Sequence, residues 1–309
     1  MFGYKELWAI KQLYFPEIGW LKIKHLMMKN NKSMLQNWMY SNKESLMSFT
    51  ISELSIPGTH DSGTYDMAFV LANPWAKTQN LNLFNQLNAG ARALDIRIGH
   101  QPLKTGDNQF VLTHDVWPTR VTLVNALAQV LEFSKKENSE IIILDFHRLV
   151  ELQKNGARTD YTLLASIIKD TFGNYLIPES DKNKTLAELW KTKGRIIVTW
   201  NLGNNINDPL FWSEVTQVWL KKAKTISELY YAIKDDMLKP HSGLWATCAI
   251  LPASLCHFIK PLNPYLSKWF APNSHLSKKV NIVYCDFINK TQLSQCLISA
   301  NILKGKKTK

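Results

Sequence analysis

Two runs, Glu140-Ile-Ile-Ile-Leu-Asp145 and Arg195-Ile-Ile-Val-Thr199, constrain the fold more than any other feature of the chain, because their middles are apolar at every position. A strand with one face in water alternates apolar and polar side chains; a continuously apolar one is covered on both faces, as in a parallel sheet flanked by crossover helices. From Ile51 onward, short β-rich runs alternate with longer helical patterns, the mark of repeated strand and crossover-helix units. Strands are expected at residues 53–56, 92–98, 110–113, 140–145, 195–199 and 280–285, with two more between residues 210 and 255. Val121, Val124, Ala128 and Leu131 recur at helical spacing, as do Leu163, Ile167 and Ile168 behind Asp160 as N-cap, and residues 291–303 read as a last helix. A barrel and a doubly wound open sheet both satisfy this pattern, but the GxGxxG or Walker turn that would support the open sheet is missing.

Either architecture needs a large core, and 45% hydrophobic against 20% charged residues supplies one while excluding a disordered chain. With 309 residues, one barrel with extensions is the expected organisation: a barrel domain over residues 49–303, a basic aromatic arm before it and a basic tail after it. The arm, residues 1–48, interleaves Phe2, Tyr4, Trp8, Tyr14, Phe15 and Trp20 with lysines and reads as helical. Its aromatics either pack on the barrel exterior or lie at the headgroup level of a lipid surface. The tail, residues 304–309, has no means of burying itself and is expected to be disordered.

A formal charge of +12 favours partners that carry phosphate, whether nucleic acid or an anionic membrane face. No zinc-finger spacing, arginine-rich run or RNA-recognition signature is present, so nucleic acid is not expected and a lipid headgroup is. Residues 241–259 lack Lys, Arg, Asp and Glu but contain Pro252 and two histidines, which reads as buried barrel or loop and not as a membrane span. A peripheral protein is expected. Lys5, Lys11, Lys22 and Lys24 interrupt every stretch long enough for a secretory apolar region, pointing to a cytoplasmic or peripheral-membrane location without a cleaved signal. Cys248, Cys256, Cys285 and Cys296 form no CxxC pair and read as buried free thiols.

Several expected strands end in polar or ionisable residues: Pro57-Gly-Thr-His-Asp-Ser-Gly63, Asp95-Ile-Arg97, Thr113-His-Asp115, Asp145-Phe-His147 and Asp286. In a parallel barrel such ends gather at one rim, where barrel enzymes keep their chemistry. Two histidines with near-neutral pKa suit acid/base cleavage of a phosphodiester, one removing a proton from the attacking hydroxyl and the other protonating the leaving oxygen. Arg97 adds a fixed fork of donors for the non-bridging oxygens and takes the place of a metal. Taken singly, His60 reads as a turn residue and Asp95-Ile-Arg97 as a structural ion pair; jointly, with Gly58 and Gly63 on either side of His60-Asp61, they read as a site.

Ser55-Ile-Pro-Gly-Thr-His-Asp-Ser-Gly63, Ala91-Arg-Ala-Leu-Asp-Ile-Arg-Ile98, Leu112-Thr-His-Asp115, Glu140-Ile-Ile-Ile-Leu-Asp-Phe-His147 and Asn281-Ile-Val-Tyr-Cys-Asp-Phe-Ile-Asn289 resemble, in order, the X domain of phosphatidylinositol-specific phospholipase C, over roughly residues 50–290. The resemblance is nearest to bacterial enzymes and to proteins made of an X domain alone. It implies an irregular (β/α)8 TIM-type barrel with the N-terminal helical extension. It makes His60 the general base for the inositol 2-hydroxyl, oriented by Asp286, and His114 the general acid for the diacylglycerol oxygen, supported by Asp61; Arg97 clamps the phosphate. The product would be inositol 1,2-cyclic phosphate, formed by an intramolecular ring closure.

Calcium-dependent relatives carry asparagine where this chain has Asp61 and an acidic ligand where it has Arg97, so the resemblance implies a metal-free site without cofactors. Asp95, His147 and Trp200 are the expected substrate contacts. Bacterial members place a lysine near His147 and an arginine near Thr199 or Trp200, and this chain keeps neither. Two other readings are a metal-dependent glycerophosphodiester phosphodiesterase and a basic module that holds a lipid headgroup without cleaving it.

Overall fold

A computed structural model describes residues 35–152, 159–202, 206–251 and 262–306. The arm aromatics from Phe2 to Trp20, Cys256, residues 252–259 and residues 307–309 lie outside the described residues.

Among the described residues ten strands follow in chain order: β1 (Ile56–Thr59), β2 (Ala93–His100), β3 (Phe110–His114), β4 (Trp117–Thr122), β5 (Ile142–Glu151), β6 (Ile196–Trp200), β7 (Phe211–Trp212), β8 (Thr216–Trp219), β9 (Trp245–Cys248) and β10 (Ile282–Cys285). Eight form a parallel sheet in the order β7-β6-β5-β2-β1-β10-β9-β8, with β3 and β4 attached off β2. The sheet curls into an irregular (β/α)8 barrel. Its ladder is interrupted between β7 and β8 for a covalent reason. Parallel neighbours need a crossover of a dozen or more residues, whereas residues 213–215 alone separate these two. The pair is therefore one ascending run that changes partner, first β6 and then β9.

Alternation along each strand divides apolar residues between two layers. Leu94, Ile96, Ile142, Leu144, Phe146, Ile196 and Val198 face outward and pack under the helices Leu123–Lys136 and Tyr161–Phe172. Ile56, Ala93, Ile143, Ile197, Ala246, Ile282 and Tyr284 fill the interior. The helices Ile226–Asp236, Asn263–Trp269 and Leu293–Gly305 cover the β9–β10 side.

Several local expectations are corrected. The first strand lies at Ile56–Thr59, three residues beyond the expected 53–56, and runs through Pro57 and Gly58. Gly58 is required there because a Cβ would sit 2.6 Å from the Tyr284 ring. Val121 belongs to β4, and the helix it was expected to open begins at Leu123, capped by Thr122. The stretch expected to hold two further strands carries three among its described residues.

Residues 35–48 do not stand apart from the barrel. Trp38, Met39 and Leu46 are fully buried and close the N-terminal end of the interior. Arg92 and Glu140, both buried, pair at 2.6 Å. Arg92 also donates to the carbonyls of Leu35 and Gln36, and Glu140 accepts from the backbone amides of Met39 and Tyr40. At the other end, the last helix extends to Gly305, so Lys304 is not part of a free tail; its amine donates to Ser55 Oγ at 2.7 Å.

Candidate active site

Alternation carries the interior rows from apolar to ionisable side chains as the strands climb: Ile56, Gly58, His60 along β1; Ala93, Asp95, Arg97 along β2; Ile282, Tyr284, Asp286 along β10. His60, Asp61, Arg97, His114 and Asp286 meet at the C-terminal mouth. His60 Nδ1 lies 2.8 Å from Asp286 Oδ1, and this carboxylate accepts the Nδ1–H. His60 Nε2 is thereby left as the acceptor, buried and without a hydrogen-bond partner among the described residues. The backbone under it is fixed, since Thr78 Oγ1 and Gln79 Nε2 donate to the His60 carbonyl at 2.8 and 3.1 Å.

Arg97 is held by Asp95, whose Oδ2 accepts from Nε at 3.2 Å and Nη2 at 2.9 Å. Its Nη1 lies 3.4 Å from Asp61 Oδ2, and the same oxygen is 3.7 Å from His114 Nε2. Asp61 adopts a left-handed φ of 44°, with its amide donating to Asp95 Oδ2 at 3.0 Å. The two imidazoles face each other edge to face, 6.4 Å between centroids. Among the described residues no group of three or more His, Cys, Asp or Glu is arranged to hold a metal.

His114 reaches the mouth by a different route from the one expected. β3 is not a barrel strand: it runs antiparallel to β2, with Ile98 opposite Leu112 and His100 opposite Phe110, and descends onto the rim. Phe110-Val-Leu-Thr113 reads alike in either direction, so periodicity does not reveal the reversal.

Burial governs the charges. It raises the Asp61 carboxyl to about 7, with Arg97 and His60 opposing the shift. Burial, then His60 and Arg97, lowers the His114 imidazole to about 4. Asp95 is held below the ordinary carboxylate range: burial alone would raise it, and the charge of Arg97 leads the opposing effects that win. Near neutral pH the Asp61–His114 pair therefore carries its proton mainly on the carboxyl.

His147 lies at the mouth within electrostatic reach of Asp95, Arg97 and His60, and burial lowers its pKa. Trp200 is elsewhere. Thr199 takes the interior position on β6, so Trp200 points outward and stacks on Phe211, ring planes 3° apart at 5.1 Å. The expectation that it contacts substrate at the mouth fails on strand parity.

Two residues not singled out in the sequence complete the site. Trp219 lies edge-on to His60 at 5.3 Å, with the Arg97 guanidinium 5.3 Å from its ring. Gln217 donates to Asp145 Oδ2 at 2.7 Å and accepts from Trp219 Nε1 at 3.0 Å. Their one signal was the spacing of two in Gln217-Val-Trp219, on a strand too short to declare itself.

Residues 54–201 match the family model "Phosphatidylinositol-specific phospholipase C, X domain". The human PI-PLC X domain-containing protein 3 is 26% identical over 207 residues, 59% of this chain and 62% of that protein, so the chain spans less than two thirds of that relative's length. The Listeria monocytogenes 1-phosphatidylinositol phosphodiesterase is 33% identical over 152 residues, 48% of this chain and 44% of that protein. Among solved structures, the phosphatidylinositol-specific phospholipase C of Listeria monocytogenes superposes with a TM-score of 0.65 at 25% identity, covering 86% of this chain and 98% of that one. The S. aureus phosphatidylinositol-specific phospholipase C shares the fold at 18% identity and a TM-score of 0.67, covering 85% of this chain and 97% of that one. On its motifs, its barrel and these likenesses, residues 54–201 are similar to the X domain of phosphatidylinositol-specific phospholipase C.

Proposed function

We propose that this chain is a metal-independent phosphodiesterase that cleaves phosphatidylinositol-type lipids to diacylglycerol and inositol 1,2-cyclic phosphate. The observation that carries the reading is the unpartnered His60 Nε2 facing His114 across the mouth, with Arg97 beside both. His60 Nε2 takes the proton of the inositol 2-hydroxyl as that oxygen bonds to phosphorus. The bond from phosphorus to the diacylglycerol oxygen breaks, and that oxygen takes a proton from the Asp61–His114 pair. Because attacker and phosphate belong to one molecule, orientation entropy is already lost before the step. Arg97 stabilises the charge on the non-bridging oxygens. Asp286 steadies the imidazolium that forms on His60. Phosphate on Arg97 also offsets the guanidinium charge that helps depress His114.

A lipid substrate is supported by the rim. Phe69, Val70, Leu71, Trp75, Val116 and Trp117 are all exposed, Leu71 at 72% and Val116 at 64%. The rings of Phe69 and Trp117 stack at 5.7 Å, which joins the loop after β1 to the start of β4. A contiguous apolar patch beside a polar mouth is what an enzyme working at a bilayer surface presents. No described helix is long and apolar enough to cross a membrane.

Turnover of phosphatidylinositol vesicles in EDTA tests the proposal. Wild-type protein should be active, with His60→Ala and His114→Ala each reduced by at least about a hundredfold. Full activity in either variant overturns the assignment; activity abolished by EDTA favours the glycerophosphodiester phosphodiesterase reading. Tight vesicle binding with no release of soluble inositol phosphate favours a headgroup-binding module.

A further inference from the structure

The turn after His114 carries an unusual residue. His114 pairs with Trp117, leaving a two-residue loop, Asp115 and Val116, and of the two Asp115 alone has a positive φ, 48°. Two-residue hairpins with a left-handed first position favour glycine, because a Cβ there is strained. Aspartate tolerates the region when its carboxylate bonds the local backbone. Here it does not: the carboxylate pairs with Arg148 Nη1, and the turn is closed by Thr113 Oγ1, which donates to the carbonyls of Asp115 and Trp117 at 2.8 and 2.9 Å.

Arg148 is brought there by an irregularity of its own. Ile96 pairs with Phe146, but Arg97 pairs with Arg148, so His147 is an extra residue in β5. A bulge of this kind re-aims side chains beside a site. Thus a strained residue on one strand connection meets a cation supplied by a bulge on another, next to an imidazole that makes no hydrogen bond among the described residues.

Resting on the reading above, we infer that Asp115, gripped by Arg148, is a positioning residue for His114: it fixes the ring over Asp61. The charged and titratable groups around His114 are His60 and Asp61 from β1 and its loop, Arg97 from β2, Asp115 from the turn, and Asp286 after β10. His60 and Arg97 lower the imidazole pKa while Asp115 and Asp286 raise it. Removing the Asp115 charge lowers it further, so the pair loses its proton at lower pH.

Asp115→Gly, Asp115→Asn and Arg148→Ala test this. Glycine relieves the left-handed strain, so Asp115→Gly should melt no lower than wild type, yet its kcat should fall roughly ten- to a hundredfold with KM little changed. A residue serving the turn alone would give the opposite result, full activity in the glycine variant. NMR titration of the His114 imidazole needs no turnover and separates this idea from the phospholipase reading: Asp115→Asn should lower the His114 pKa. An unchanged titration, or wild-type kcat in Asp115→Gly, overturns the inference, and the titration does so whatever reaction the site performs.

Discussion

His60, Arg97 and Asp61 show how three side chains acquire their tasks from what surrounds them. A histidine whose Nδ1–H is taken by Asp286 has only Nε2 left to offer, and an arginine bound twice by Asp95 has a fixed plane. Arg97→Lys keeps a cation but not the fork, and should lower kcat by about a hundredfold or more in steady-state assays. Asp61 makes the pH dependence specific. Its carboxyl is raised to about 7 by burial, so it is protonated below that pH and ionised above it. On the proposed mechanism the acid function needs that proton; kcat/KM should therefore fall as pH rises through about 7, and Asp61→Asn should remove this limb while lowering the maximum. A kcat/KM still rising at pH 9 in the wild type would contradict the assignment.

At the scale of strands and loops, much of the site is legible because alternation is rigid. Once β2 carries Ala93 inward, Asp95 and Arg97 follow on the same face, and Ile143 and Asp145 do so on β5. The same rule places Trp200 outside, which residues near a strand end do not reveal until the inward parity is known. Other features had no local signal. β4 carries Pro118 and Arg120 and forms through pairing with β3, and β7 and β8 are short pieces whose identity depends on β6 and β9. The middle of the barrel is legible in composition but not in role. Asp145 accepts from Thr199, Gln217 and Tyr284, and burial raises it to about 7. Gly58→Ala tests the packing of this layer: its Cβ meets the Tyr284 ring, and overpacking of this kind should cost about 1–3 kcal/mol in chemical denaturation. On the rim, replacing Leu71 and Trp75 by alanine should weaken binding to phosphatidylinositol vesicles while leaving turnover of a monomeric soluble substrate near wild type. Equal losses on both substrates would place these residues in folding and not in lipid contact.

The whole molecule is tied together at the end opposite the mouth. Arg92 and Glu140 join residues 35–40 to the barrel, and the last helix packs so closely that a Cβ on Gly305 would lie 1.7 Å from the Ser45 carbonyl oxygen. Glu140→Ala leaves a guanidinium buried without its partner, and calorimetry should show a loss of about 3–5 kcal/mol. Stability also depends on the buried acids. Asp61 and Asp145 both have folded-state pKa values above their unfolded ones, so their contribution is full below about pH 4 and is lost as pH rises through about 7. Asp145→Asn should flatten the decline in Tm between pH 5 and 8. On the proposed mechanism, His60, Arg97 and the Asp61–His114 pair close an inositol phosphodiester on itself without a metal. This is tested most directly by phosphorus NMR of phosphatidylinositol incubated with the protein in EDTA. The cyclic phosphate resonance should appear first and any acyclic inositol phosphate later; an acyclic product formed from the outset, or no product without added metal, would overturn this mechanism.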